Sequence, residues 1–278
     1  MSMKLDKIIQ VMQDVYEIDI SKYDEAFLLK AVEKRVEIVK IKTASDYIVY
    51  LLSNNEEAKN FFDSLMISYT DFFRNSLTFA HLEQWVLPQL IAQKSNHSEL
   101  RIWSAGCATG QEPYSIAMLL EKMQTSQNKQ FRYRIIATDI SEAALSAAKK
   151  GEYNQEAIQN LKVKDLSEFF IQSGETYTVS SKLKNQVSFS SYDLLDDHSS
   201  SPQESIFGNF DLVFCSNLLF YYKPEFQRTI ISKLKNSLTE KGYLITGEVE
   251  RQAVSKEGGL RSVNPPSLIF QKITGGAA

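Results

Sequence analysis

Residues 100–117 read LRIWSAGCATGQEPYSIA. The opening LRIW is a short apolar run of strand character. A string of small residues follows, and Gln111-Glu112-Pro113-Tyr114 then begins an apolar pattern of helical period. Strand, tight turn and helix start together make the opening of a βα unit. Downstream, RIIAT, VSFSS, DLVFC and GYLIT are further short apolar runs, and PYSIAMLLEKM, SEAALSAAKK and KPEFQRTIISKLKNSL are helical stretches between most of them. This alternation predicts an α/β domain on a mostly parallel sheet with right-handed crossovers. Residues 164–187 break the alternation and predict a small β-rich insertion with a turn near Gly174. Residues 199–202 predict a polar loop, and the closing GGAA a disordered tail.

Upstream the pattern is helical throughout, with no glycine before Gly106. YDEAFLLKAVEKRVEIVKIK sets Leu28, Val32, Val36 and Val39 on one helix face and Lys30, Lys34, Arg35 and Lys42 along another flank. Glu33 and Glu37 interleave with those bases, as on an ordinary solvated face. Ser45 is the expected N-cap of the next helix. The expected division is an all-helical domain with its linker helix over 1–85, and an α/β domain over 86–278.

The chain has 278 residues, 43% hydrophobic and 23% charged, with a formal net charge of -3. That suits a folded chain of one or two domains, and no overall basic field argues for nucleic acid. Two cysteines in apolar surroundings fit buried thiols in a reducing compartment, and with three histidines no cluster has metal-ligand spacing. The N-terminal segment is amphipathic and contains acids, unlike a signal peptide, and no apolar run is long enough to span a bilayer. A cytoplasmic location without membrane insertion is the expectation.

In an open α/β sheet, ligands bind beyond the carboxyl ends of the strands. The loop Ser104–Gly110 allows close approach of a ligand to the backbone, with Gly106 and Gly110 free to take positive φ. It lacks the full G-x-G-x-x-G phosphate cradle, so it argues poorly for a nicotinamide dinucleotide. Glu112 either caps the helix it begins or meets a cationic ligand group. Asp139, at the end of RIIATD, is either an acceptor for ribose hydroxyls or an N-cap or turn residue for SEAALSAAKK; Ser141 is already a candidate N-cap of that helix, which leaves Asp139 freer for a ligand. Asn217 is a polar group at the end of DLVFC, in the predicted crevice.

TDFFR (residues 70–74), WSAGCATGQEPYSIAM, ATDI, YDLL and FDLVFCSNLLFYY occur in that order. Together they resemble the chemotaxis-receptor methyltransferases of the CheR family, over nearly the whole chain. The resemblance implies an all-α N-terminal domain before a Rossmann-like, class I methyltransferase domain with a small antiparallel β-subdomain. It implies S-adenosylmethionine as methyl donor, S-adenosylhomocysteine as product, and glutamate side chains on the cytoplasmic helices of methyl-accepting chemotaxis receptors as acceptors. Carried over residue by residue, it implies cofactor contacts from Ser68, Thr70, Arg74, Gly106, Glu112, Asp139, Asp193, Leu194, Ser216 and Asn217. Arg74 would then reach across from the helical domain. Tyr221 matches the family's N-x-x-I-Y tyrosine, either walling the methyl site, bonding the incoming carboxylate, or serving the structure alone. Lys30, Lys34, Arg35 and Lys42 become the candidate receptor-binding flank.

Departures accompany the likeness. Ser68 stands where many members have Asn, and Ser216 where they commonly have Arg. LITGEVE replaces LFLGHSE, leaving Gly247 and the acids Glu248 and Glu250. The turn at Gly174 is shorter than in members whose β-subdomain grips a receptor-tail peptide. The Ser216 and GEVE departures motivate an alternative, a catalytically altered module that binds the cofactor or its product for regulation or scaffolding. NPPS at residues 264–267 is similar to an amino-methyltransferase motif, but it follows the last helix–strand unit rather than DLVFC.

Overall fold

The computed structural model describes residues 2–95, 98–127, 130–205 and 208–273; the closing GGAA lies outside the described residues. The chain begins with helices α1 (Ser2–Tyr16), α2 (Glu25–Ile38), α3 (Ala44–Leu52) and α4 (Asn55–Leu65). Then come α5 (Ser76–His81), a π-helical turn (Leu82–Val86) and α6 (Leu87–Gln93). The alternating part follows as β1 (Glu99–Ala105), α7 (Gln111–Gln127), β2 (Arg132–Asp139), α8 (Glu142–Lys150) and β3 (Glu152–Tyr153). After it run α9 (Val163–Phe169), β4 (Phe170–Ser173), β5 (Thr176–Val179), α10 (Ser181–Lys184) and β6 (Val187–Ser191). The chain continues with β7 (Phe210–Cys215), α11 (Pro224–Ser237), β8 (Leu238–Thr246), α12 (Arg251–Ser255), β9 (Leu260–Val263) and β10 (Ile269–Lys272).

Two compact units divide the chain. One holds the residues up to Ile67 together with Leu219–Gln227; the other holds Ser68–Leu218 and the chain from Arg228 onward. The break therefore falls at Ile67/Ser68 rather than after residue 85. The reason lies in side-chain burial: Phe79, Leu82, Val86, Leu87, Leu90 and Ile91 belong to the same buried cluster as Leu100 and Ile102 of β1 and Ile116 of α7.

In the helical unit, Leu5, Ile8 and Met12 of α1, Leu28 and Val32 of α2, Tyr47 and Leu51 of α3, and Phe61 and Leu65 of α4 are buried. Of the expected α2 face, Val36 and Val39 are only half-buried. Asp24 caps α2, accepting from the N–H groups of Ala26 and Phe27. Thr43, not Ser45, caps α3: its hydroxyl accepts the Asp46 N–H at 3.2 Å, and the helix already begins at Ala44. Leu219–Gln227 joins this unit through aromatic packing. Tyr222 stacks on Tyr23 at 5.2 Å, Tyr221 meets Phe27 at 4.7 Å, and the Tyr221 carbonyl accepts the Asp24 N–H at 2.8 Å.

In the second unit a seven-stranded sheet has the order β6-β2-β1-β7-β8-β10-β9. Strands β6, β2, β1, β7 and β8 are parallel, and β10 runs antiparallel to both its neighbours. Order reverses between β1 and β7, so the crevice lies beyond the carboxyl ends of those two strands. β1 and β7 are buried along nearly their whole length, as expected of parallel strands covered on both faces. A second, antiparallel sheet of order β3-β5-β4 is the insertion. It draws in Glu152–Tyr153 from before the expected start, while residues 181–184 form α10 instead of strand. Gly174, at φ 59°, makes the tight β4–β5 turn. No helix of the described residues is long and apolar enough to cross a membrane.

Candidate functional site

The loop between β1 and α7 is drawn over the end of β2. Gly106 and Cys107 both donate their N–H to the Thr138 carbonyl, at 2.8 and 2.9 Å. Gly106 and Gly110 take φ of 76° and 94°, and Ala108 takes 47°, so the loop needs left-handed backbone at its two glycines. A Cβ on Gly106 would lie 3.0 Å from Leu218 Cδ2. The loop after β1 and the loop after β7 therefore meet at a glycine.

Asp139 closes this loop from the other side. Its Oδ2 accepts the Ala108 N–H at 2.8 Å and its Oδ1 the Ser141 N–H at 2.9 Å. Ser141 does cap α8, accepting from the Ala144 N–H at 3.2 Å. That leaves Asp139 with two structural bonds of its own, contrary to the expectation that the Ser141 cap frees it. Burial raises the Asp139 pKa above its ordinary value, against the backbone N–H bonds that lower it.

Glu112 stands in the first turn of α7, but its Oε1 accepts from Ser104 Oγ of β1 at 2.7 Å. Burial pushes its pKa up to about 7, and the Glu250 carboxylate pushes the same way. The hydrogen bond from the Ser104 hydroxyl, the positive charge of Arg74 and the nearby Ser216 hydroxyl pull it down. Glu112, Ser104, Ser216 and Arg74 are thus brought to one place, at the carboxyl ends of β1 and β7.

Arg74 arrives there on a strained, anchored segment. Phe72 is fully buried between the rings of Tyr153 (4.9 Å) and Phe170 (5.6 Å), and Phe73 packs on Phe79 at 5.1 Å. Phe73 and Asn75 have φ of 49° and 61°. The Phe73 N–H donates to Ser115 Oγ at 2.9 Å, and Asn75 caps α5 through the Thr78 N–H at 3.1 Å. Between them Arg74 is held out, exposed, with its guanidinium 5.5 Å from the Tyr69 ring centre. Arg74 therefore belongs to the α/β unit and does not reach across from the helical one, because Phe72 and Phe73 anchor it in the α/β core. Ser68 and Thr70 are half-buried on the same segment.

After β6, Asp193 accepts the Leu195 N–H at 2.9 Å, and Leu194 is buried. After β7, Asn217 adopts φ 60°. The side chain that sequence reasoning left undecided is Glu250. It is 2% exposed, and its carboxylate accepts backbone N–H groups of Asn217, Leu218 and Gly247, whereas Glu248 is exposed. An acid shortly after a glycine at a strand end was the only signal available for it.

The remaining candidates lie in the helical unit. Tyr221 is half-buried there beside Phe27. Lys30, Lys34 and Lys42 are exposed, but the Arg35 guanidinium is committed to Glu57, with Nε–Oε1 at 2.9 Å and Nη2–Oε2 at 2.5 Å. Tyr47 completes that buried cluster, donating its hydroxyl to Glu57 at 2.7 Å. Further along the loop after β6, the described residues also bring Asp196, Asp197 and His198 together, the last two exposed.

The donor set at the strand ends fits S-adenosylmethionine. A buried acid suits an ammonium group, an acid at the end of β2 suits vicinal hydroxyls, and a glycine loop leaves the backbone open to a nucleoside. Comparison with known proteins agrees. The model described as CheR methyltransferase, SAM binding domain, matches residues 68–265, and that described as CheR methyltransferase, all-alpha domain, matches residues 3–66. The chemotaxis protein methyltransferase of Borreliella burgdorferi is 29% identical over 255 residues, covering 89% of this chain and 87% of that one. The chemotaxis protein methyltransferase of Listeria monocytogenes is 29% identical over 247 residues, 89% of each chain. Chemotaxis protein methyltransferase 1 of Pseudomonas aeruginosa is 37% identical over 193 residues, 68% of each chain. Matched in both its parts, and dividing between them where its own compact units divide, the chain belongs to the CheR methyltransferase family, with an S-adenosylmethionine-binding domain.

Proposed function

We propose that the protein methylates glutamate side chains on the cytoplasmic helices of chemotaxis receptors, forming glutamate methyl esters, and that it does so in the cytoplasm. The observation that carries the reading is the strand-end group of Glu112, Ser104, Ser216 and Arg74 in a chain of this family. When bound, S-adenosylmethionine supplies an electrophilic methyl group and leaves as S-adenosylhomocysteine. Glu112 receives the methionine ammonium, and Asp139 the ribose hydroxyls. Asp193 and Leu194 border the adenine, and Ser68, Thr70, Arg74, Gly106, Ser216 and Asn217 complete the contacts.

An acceptor glutamate needs little from the protein as a base. Its ordinary pKa of about 4.3 leaves it ionised at neutral pH, whereas a lysine amine, at about 10.4, would need deprotonation. The work left to the chain is to align the carboxylate and strip it of water, which supplies up to roughly 7–11 kcal/mol in favourable intramolecular cases. Tyr221, which closes the short turn Leu219–Tyr221 after that strand-end loop, is the residue we assign to the acceptor carboxylate.

The test uses membranes carrying a candidate receptor and donor with a radioactive methyl group. Ester formation is expected to leave label that mild alkali releases as volatile methanol. Alkali-stable label would point to an amine acceptor. Absence of label across receptors, with S-adenosylhomocysteine still bound, would favour a regulatory module.

A further inference from the structure

Glu250 makes bonds that a surface-cap acid does not make. Its Oε2 accepts the Gly247 N–H at 2.7 Å and the Asn217 N–H at 3.0 Å, and its Oε1 accepts the Leu218 N–H at 2.6 Å. These donors come from two different loops, one leaving β7 and one leaving β8, which pair in parallel up to Cys215 and Thr246. Beyond that pair the strands offer these amides no ladder partner, and a buried N–H must be satisfied elsewhere. A carboxylate that accepts several amides is the strong, charge-assisted solution.

Two backbone features are shaped to the acid. A Cβ on Gly247 would fall 2.2 Å from Glu250 Oε2 and 2.9 Å from the Asn217 nitrogen, so only glycine lets the carboxylate in. Asn217 takes φ 60°, the left-handed conformation that Asn adopts more readily than other non-glycine residues, and the Glu250 carboxylate accepts its N–H there. The loop so fixed carries Ser216, close enough to Glu112 to lower its pKa, and Leu218, whose methyl packs on Gly106. Glu250 also lies close enough to Glu112 and Cys215 for its charge to raise both their pKa values.

We propose that Glu250 is a positioning residue for the methyl donor. By clamping Asn217, Leu218 and Gly247, it sets the loop after β7 in the shape that presents Ser216 and Asn217 to the cofactor. The proposal rests on placing the cofactor at these strand ends, but not on which acceptor is methylated.

The experiment titrates S-adenosylhomocysteine into full-length protein by calorimetry, with unfolding midpoints recorded alongside. Glu250→Gln keeps size and shape but turns one acceptor into a donor facing backbone N–H groups. It is expected to raise Kd tenfold or more. Asp211→Asn is the control for disturbing a buried, partnered acid elsewhere: Asp211 is a 5%-exposed acid at the opposite end of β7, accepting the Arg101 N–H at 2.9 Å and paired with Lys94 at 2.7 Å. That variant is expected to lower the unfolding midpoint while leaving Kd within twofold. In steady state, Glu250→Gln should raise KM for S-adenosylmethionine and leave KM for receptor unchanged, and Glu250→Asp should recover part of the loss. Should Glu250→Gln fail to fold, Gly247→Ala displaces the same carboxylate and is read the same way. Wild-type Kd in the Glu250 and Gly247 variants, with binding weakened by Asp139→Ala, overturns the Glu250 proposal alone. Wild-type Kd in Asp139→Ala as well overturns the placement of the cofactor and this proposal with it. Neither result depends on the ester assay.

Discussion

Glu112 titrates ordinarily near 4.5, but in the folded protein burial and the Glu250 carboxylate push it up to about 7. Between those values the folded state keeps a proton that the unfolded state has released. Stability from this group is therefore fully present below about pH 4.5 and is lost as pH rises through about 7. Glu112→Gln removes the penalty. Urea unfolding should find that variant more stable than wild type at pH 8 by roughly 1–3 kcal/mol, and close to wild type at pH 5. The same substitution removes the anion proposed to receive the methionine ammonium. Donor affinity should rise between pH 6 and 8 in wild type, remain flat in Glu112→Gln, and be weaker there throughout. An acid beside a proline at the start of a helix was legible in the sequence. Its bond from Ser104 and its nearness to Ser216 were not, because those residues come from β1 and from the loop after β7.

Helix α2 and the turn after it, where Lys42 falls beyond the helix end at Ile38, carry two kinds of cation that one helical pattern cannot separate. Lys30, Lys34 and Lys42 are exposed, while Arg35 is folded onto buried Glu57 and Tyr47. The Arg35 side chain is 13% exposed and that of Glu57 3%, so Arg35→Ala strands a buried carboxylate. It should cost roughly 3 kcal/mol in a full-chain denaturation curve, the lower end for breaking a buried pair. Reversing Lys30, Lys34 and Lys42 together should leave that curve nearly unchanged. If these lysines steer acidic receptor helices, the reversal should raise KM for receptor and not for S-adenosylmethionine. Added salt should act likewise, since exposed charges are screened over about 8–10 Å. An unchanged KM for receptor would make the lysines an ordinary solvated face. The segment carrying Phe72 and Phe73 gives the same lesson: its aromatic residues were plain in the sequence, but only packing against Tyr153, Phe170 and Phe79 decides which unit owns Arg74.

A ligand that binds only the folded chain stabilises it by mass action. S-adenosylhomocysteine at about 100 times its Kd should therefore add roughly 2.7 kcal/mol to the unfolding free energy of the full chain. Asp139→Ala should show less of that gain at the same concentration, and an equal gain would remove Asp139 from the binding site. By itself the sequence determined the helical first part, the parallel strands with their intervening helices, and the strand-end positions of Gly106, Glu112, Asp139 and Asn217. Those are carried by periodicity and by short motifs, which act over neighbouring residues. Tertiary structure alone decided the break at Ile67/Ser68, the addition of β3 to the small sheet, and the packing of Leu219–Gln227 with the helical unit. It also decided the commitment of Arg35 to Glu57 and the three-amide clamp of Glu250. Each of these joins residues far apart in the chain, and burial, which chooses between a free charge and a bonded one, is set only when the layers close.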